Sequence, residues 1–291
     1  MWFAEEGVLI PPVVLLDSFV AMVMFSIGLR VRGGDLFAVL GDRRLLVRTL
    51  LVNCLVIPAI GFVLVRIFPL TPDARIGILL LAAIPGTPIA LQFTRRAMTR
   101  LAFAASMTFV LSVVSLAMVP LAIEIMPEIA EHDERPLILL VTNIVFYIAL
   151  PLVLGLWAGR SMPRVAGKLA LPLGILASLT FVFLMWETRL VRREAFQTIR
   201  GGGSVAAMAI LLLLSMAIGW MIGGPDSESR RVVATATSMR SVVVVLYVAR
   251  YCFPATMVYM VPIVYLSLMV PTNMVFHLAY TGWHKWRSAA T

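Results

Sequence analysis

The run Ile84-Pro85-Gly86-Thr87-Pro88 sits in the middle of an apolar segment, residues 76–93, that is long enough to cross a bilayer. Two prolines and a glycine within five residues cannot stay helical. Proline lacks the backbone donor and collides with the carbonyl four residues back, and glycine adds slack. In hydrocarbon each freed backbone group costs several kcal/mol unless protein or a water-filled cavity satisfies it. A break at this depth therefore marks a site, and broken helices at the midplane are how many secondary transporters turn backbone dipoles toward a substrate. A lone proline would read as a plain kink. Pro-Gly-x-Pro reads as a site built on Pro85, Gly86, Thr87 and Pro88.

The rest of the chain supports a membrane setting. Of its 291 residues, 61% are hydrophobic and 13% charged, against about 25% charged in an average soluble domain. Apolar runs of roughly 18 or more residues recur throughout. The expected fold is an all-α polytopic membrane protein with one transmembrane domain, residues 1–291, and no soluble appendage. Nine spans are expected, at 8–29, 45–68, 75–93, 101–126, 137–159, 168–186, 204–223, 232–249 and 256–280. The net charge of +9 resides in loops and orients the chain in the bilayer, so it is not read as a nucleic-acid surface. Most Lys and Arg fall inside if the N-terminus lies outside and the C-terminus in the cytoplasm. On this count Arg230 and Arg231 belong to a cytoplasmic loop. A cell (inner) membrane is the expected location. The opening residues lack a basic n-region, so no cleaved signal is expected.

The loop after span six breaks the charge rule, and an internal repeat accounts for it. Arg30, Asp35 and Phe37 match Arg189, Glu194 and Phe196 at a common offset, and Met118-Val119-Pro120 recurs as Met269-Val270-Pro271. Spans one to four then correspond to spans six to nine. Span one runs inward and span six outward, so the repeat is inverted, a common carrier architecture.

The counterpart of the broken third span is the eighth. It carries Thr237, Ser238, Arg240 and Ser241 ahead of four valines. A charge at the bilayer centre is costly and marks function by default. Its bland alternatives are snorkelling or a structural pair with Asp17, the buried-looking acid of span one. The histidines His132, His277 and His284 are scattered, and no cluster has metal spacing. His277 reads as a hydrogen-bonded helix residue near the interface. Neither an enzyme nor a cofactor is expected.

Spans three and four resemble the bile acid:sodium symporter family. Its members carry a Pro-Gly-Gly-Thr-Ala-Ser-Asn stretch in a broken helix and a Leu-Ser-x-x-x-Thr stretch on the next span. Here the corresponding residues run from Pro85 to Leu91 and from Phe103 to Thr108. The family's Gly-(Met/Leu)-Gly-Leu-x-Leu helix end is echoed at 26–31, and its Glu-x-Gly-x-Gln-Asn motif falls on Ala236 to Ser241. The resemblance implies two broken helices crossing at mid-membrane. It also implies a sodium site of side-chain oxygens, and this chain departs from that set. Ala90 and Leu91 replace the Ser-Asn pair, Ala104 the serine, Ala236 the glutamate and Arg240 the glutamine; Thr108 alone remains.

The expected function is a secondary transporter or facilitator of a small organic anion, not coupled to sodium. The candidate substrate-binding residues are Thr87, Pro88, Thr108, Thr237, Arg240, Ser241 and Asp17, with Pro85 and Gly86 supplying broken-helix backbone and no metal ligands. Two alternatives are a metalloid-oxyanion efflux carrier of the same superfamily and a non-transporting sensor or scaffold on the same fold. The first uses a thiol near the broken helix, where this chain has Ile84.

Overall fold

The computed structural model describes residues 12–30, 39–86, 101–125, 142, 145–187, 203–253 and 256–290. Every regular element among them is helical. In order they are α1 (Pro12–Arg30), α2 (Arg43–Leu51), α3 (Ile57–Ile67), α4 (Pro72–Ala83), α5 (Leu101–Ile125), α6 (Leu150–Ser161), α7 (Pro163–Glu187), α8 (Ser204–Ile222), α9 (Ser227–Ser238), α10 (Val242–Cys252) and α11 (Met260–Ala290). Among the described residues, four stretches have the length and apolar character to cross a membrane: Arg43–Ile67, Ser204–Ile222, Ser227–Ala249 and Met260–Gly282.

Proline acts differently from site to site. Pro120, Pro172 and Pro271 lie inside α5, α7 and α11, which run on past them. Pro58 and Pro151 each follow a π-helical turn, Val52–Val56 and Val145–Ala149. One extra residue in the turn relieves the clash between a proline ring and the carbonyl behind it. At Pro85, with Gly86 beside it, the helix stops within an apolar segment.

α4 is capped at its start by Thr71, whose hydroxyl accepts from the Ala74 N–H at 3.3 Å, with Pro72 in the first turn. It ends at Ala83. Ile84 is extended, as the residue before a proline prefers. Gly86 follows with φ +73°. A Cβ there would lie 2.7 Å from Cβ of Leu111, so α5 crosses the break at a distance only glycine permits.

The second interruption has no proline. α9 begins at Asp226, whose carboxylate caps Ser229 N–H at 3.2 Å. It ends at Ser238, and Met239 is extended. Ser241, at φ −77° and ψ 71°, is the centre of an inverse γ-turn closed by Val242 N–H on the Arg240 carbonyl at 2.8 Å. α10 then continues. Because no local breaker is present, tertiary contacts hold this interruption open.

Two packing groups emerge. α1 lies against α6 and α7, where a Cβ on Gly28 would sit 2.6 Å from the Leu156 nitrogen. The other group has α4, α9 and α10 inside, with α3, α5, α8 and α11 around them. Every residue from 232 to 249 is buried. The two groups share one apolar core, from Phe19 and Met24 of α1 to Val243 and Val245 of α10. A tilted ring contact between Tyr147 and Tyr247, centroids 6.0 Å apart, joins them.

Candidate functional site

The two interruptions meet. Ser241 N–H reaches the Ile84 carbonyl at 3.4 Å, and Arg240 ties the breaks together. Its side chain is fully buried. Nε donates to the Leu81 carbonyl at 2.8 Å, Nη2 to the adjacent Ala82 carbonyl, and Nη1 to Oδ1 of Asn53 at 2.8 Å. Leu81 and Ala82 lie in the last turn of α4, where carbonyls lack intrahelical partners and the helix dipole is negative. The guanidinium thus caps a broken helix with its side-on fork. A guanidinium has five N–H groups, so the three engaged leave one on each terminal nitrogen. No carboxylate lies within ion-pair distance of Arg240 among the described residues.

Asn53 lies in the π-helical turn between α2 and α3 and is fully buried. Its Nδ2 donates to the Thr49 carbonyl at 2.9 Å and to the Thr237 hydroxyl at 3.2 Å. Asn273 of α11 performs the matching task on the other side. Its Nδ2 donates to the Met269 carbonyl at 3.0 Å, and its Oδ1 accepts from Ser238 at 3.0 Å. Each asparagine uses its amide on the carbonyl one turn back and turns its oxygen toward the interruption. Tyr265 adds a bond from its hydroxyl to the Ser238 carbonyl at 2.9 Å.

The structure brings together Pro85, Gly86, Thr237, Arg240 and Ser241, all buried. Thr87 and Pro88 lie outside the described residues, as do Ala90, Leu91 and the arginine-rich loop 188–202. Thr108 is buried on α5 but takes no part in the hydrogen bonds of Arg240 or Asn53. Asp17 is buried in α1, which packs on α6 and α7, and it is not an ion-pair partner of Arg240.

Sequence reasoning missed Asn53 and Asn273. The available signal was a carboxamide alone in an apolar span, since such residues face the bundle interior. Arg231 needs correction. It is not a loop residue but lies in α9 with 1% exposure, its Nε bonded to Nδ1 of His277 at 2.8 Å and its guanidinium 4.6 Å over the Tyr280 ring. Those partners explain why an arginine expected in a loop is buried. Cys54 follows Asn53 as a half-buried free thiol. No group of three His, Cys, Asp or Glu side chains among the described residues is arranged to hold a metal ion.

Apolar helices of membrane-crossing length, with two interrupted helices meeting at a buried cation, place the chain among helical membrane transporters. The family model described as the Sodium Bile acid symporter family matches residues 18–192. That is more than half of the chain, and the protein belongs to this family of transporters. The match ends before α8, so Arg240 and the second interruption lie beyond it. No curated protein matches the chain.

Proposed function

We propose that the protein is a secondary transporter or facilitator of a small organic anion that works without sodium. The observation carrying this reading is Arg240: a permanent charge, fully buried, whose described partners are neutral oxygens. A buried cation without a counter-charge is costly, and an anion would relieve it. The two remaining terminal N–H groups suit a carboxylate or sulfonate. Thr237 and Ser241 flank the arginine, and the N-terminus of α10 adds a dipole of the same sign. Thr87, Pro88, Thr108 and Asp17 complete the proposed site as the bundles rearrange. Arg240 is closed to solvent in this conformation, in keeping with one stage of an alternating-access cycle.

The same charge opposes sodium. A monovalent cation about 4 Å from a guanidinium meets a repulsion of about 4 kcal/mol at an effective dielectric near 20. The family's carboxylate position is Ala236 here, which supplies no oxygen. The proposed architecture is nine spans with spans one to four repeated, inverted, in spans six to nine. The N-terminus is placed outside and the C-terminus in the cytoplasm.

The test is a thermal-shift screen of the purified protein against small carboxylates and sulfonates, in sodium or choline. The best stabiliser is then followed as flux into proteoliposomes. We expect equal flux in either salt and weaker binding by Arg240→Gln, with no sodium dependence gained. Strong stimulation by sodium, or unaltered affinity in Arg240→Gln, would defeat the proposal.

A further inference from the structure

A second polar cluster lies at the far end of α9, away from Arg240. Arginine has no acceptor, so the 2.8 Å bond from Arg231 Nε to His277 Nδ1 fixes the ring as neutral with its proton on Nε2. That proton faces the Thr235 hydroxyl at 3.2 Å. Arg231 has another anchor within reach: its Nη1 lies 3.8 Å from Oε1 of Glu228, one turn back on α9. This is the outer limit of an ion pair, about 1 Å longer than a charge-assisted hydrogen bond. The other carboxylate oxygen, Oε2, is buried and without a hydrogen-bond partner among the described residues. Arg231 thus stands between a histidine it holds tightly and a carboxylate it barely touches.

Thr235 connects this cluster to the interruption. Its hydroxyl meets His277, while its carbonyl receives Met239 N–H at 2.9 Å and the Ser238 hydroxyl at 3.2 Å. A displacement of His277 is therefore felt at the last turn of α9, where the helix stops.

We infer that Arg231, His277 and Glu228 form a proton-operated switch, in which a proton taken up at Nδ1 of His277 releases Arg231 to Glu228 and loosens the end of α9. The proton comes from water at the end of the bundle where Glu228 is partly exposed, with side-chain exposure of 23%. It returns there when Arg231 swings back. One lone pair on Nδ1 serves either the proton or the guanidinium, so the two states exclude each other. Uptake also places two cations side by side, and Glu228 is positioned to separate them.

Among the described residues, α9 also carries Asp226, which caps Ser229 N–H at 3.2 Å, and Arg230, whose Nε donates to the Gly224 carbonyl at 2.6 Å, and α11 carries His284, Lys285 and Arg287 beyond Tyr280. Tyr280 lies under the Arg231 guanidinium and bonds Ser227 at 2.9 Å. α8, packed on both α9 and α11, has no ionisable side chain. α5 meets α9 through Phe103, Ala104 and Met107, and its sole ionisable residue, Glu124, lies about 25 Å further along at the helical rise. The arginines of α2 are exposed. On α4, Asp73 bonds the Met257 N–H at 3.0 Å, near the opposite end of α11, beside Arg75. Tyr247, Arg250, Tyr251 and Cys252 of α10 lie beyond the interruption.

The test uses the full-length protein in lipid nanodiscs with isotope-labelled histidine. The three imidazoles, His132, His277 and His284, are followed by nuclear magnetic resonance as pH is lowered, and Glu228→Gln is compared with wild type. Hydrogen–deuterium exchange of residues 235–242 is measured in parallel. We expect a neutral Nε2–H ring at His277 that becomes imidazolium while the protein stays folded, with exchange of 235–242 rising in step. Glu228→Gln should need about tenfold more protons, or greater, for the same conversion, because the carboxylate that receives the released Arg231 is then gone. His277→Gln assigns the resonance and should abolish the acid rise in exchange; if it does not fold, Glu228→Gln alone decides. The switch is overturned if His277 stays neutral until unfolding, titrates identically in Glu228→Gln, or titrates without a change in exchange.

Discussion

Asn53 offers its side-chain oxygen to Arg240 at 2.8 Å, across a sequence separation of 187 residues. This bond joins a π-helical turn of α2–α3 to the interruption between α9 and α10, and it orients the guanidinium that caps α4. The consequences for charge, backbone and topology are separable by mutation.

Replacing Asn53 by Asp keeps the shape and supplies the missing counter-charge. The carboxylate would pair with Arg240 at hydrogen-bond distance. We expect little net change in stability, as the ion pair offsets the loss of the amide donation to the Thr49 carbonyl, while anion binding falls by about tenfold or more as the free positive charge disappears. Asn53→Leu should instead lower stability by about 2 kcal/mol by stranding an N–H of Arg240. Chemical denaturation and thermal shifts with the stabilising anion separate the two effects.

Truncating Arg240 to Ala strands the carbonyls of Leu81 and Ala82 together with Oδ1 of Asn53. The cost should be about 3 kcal/mol or more, since each buried polar group left without a partner costs about 1–3 kcal/mol. Arg240→Lys keeps the charge but lacks the planar fork, and should lie between wild type and alanine in stability. Equal stability of all three proteins would show that the guanidinium does not cap α4.

Gly86→Ala tests the first interruption. The left-handed backbone costs a non-glycine residue about 1–2 kcal/mol, and the added methyl meets Leu111, for which overpacking costs about 1–3 kcal/mol. A loss of about 2–5 kcal/mol is expected. A neutral outcome would contradict the close crossing of α4 and α5.

The proposed orientation predicts that a cysteine placed after Trp283, on a background lacking Cys54 and Cys252, resists external membrane-impermeant thiol reagents until the membrane is opened. Labelling in intact cells would reverse the topology.

Much of the fold was legible because it depends on local chemistry. Pro85 and Gly86 announce their break in two letters, and the ends of α5, α7 and α8 fall within a few residues of the hydropathy boundaries. The second interruption was legible through the repeat, as the counterpart of the first, and through Arg240, a charge where charge is costly. Asn53 and Asn273 were not read as functional, since their oxygens act on residues far away in sequence. Arg231 was misplaced for a related reason. Charge counting treats every arginine at a span end as solvated, whereas His277 and Tyr280, from another helix, bury this one.

The stretch 232–249 is buried throughout, and that bears on how the protein is made. A nascent segment enters the bilayer by its own apolarity, and a central arginine opposes entry by about 2.5–3.5 kcal/mol. α9 carries Arg231 and ends just before Arg240, while both arginines donate hydrogen bonds to groups on helices elsewhere in the chain. α2–α4, synthesised earlier, must wait in the membrane with an unfilled slot, and α11, synthesised later, must close it. Insertion of this polar helix thus depends on its being received by protein rather than by lipid.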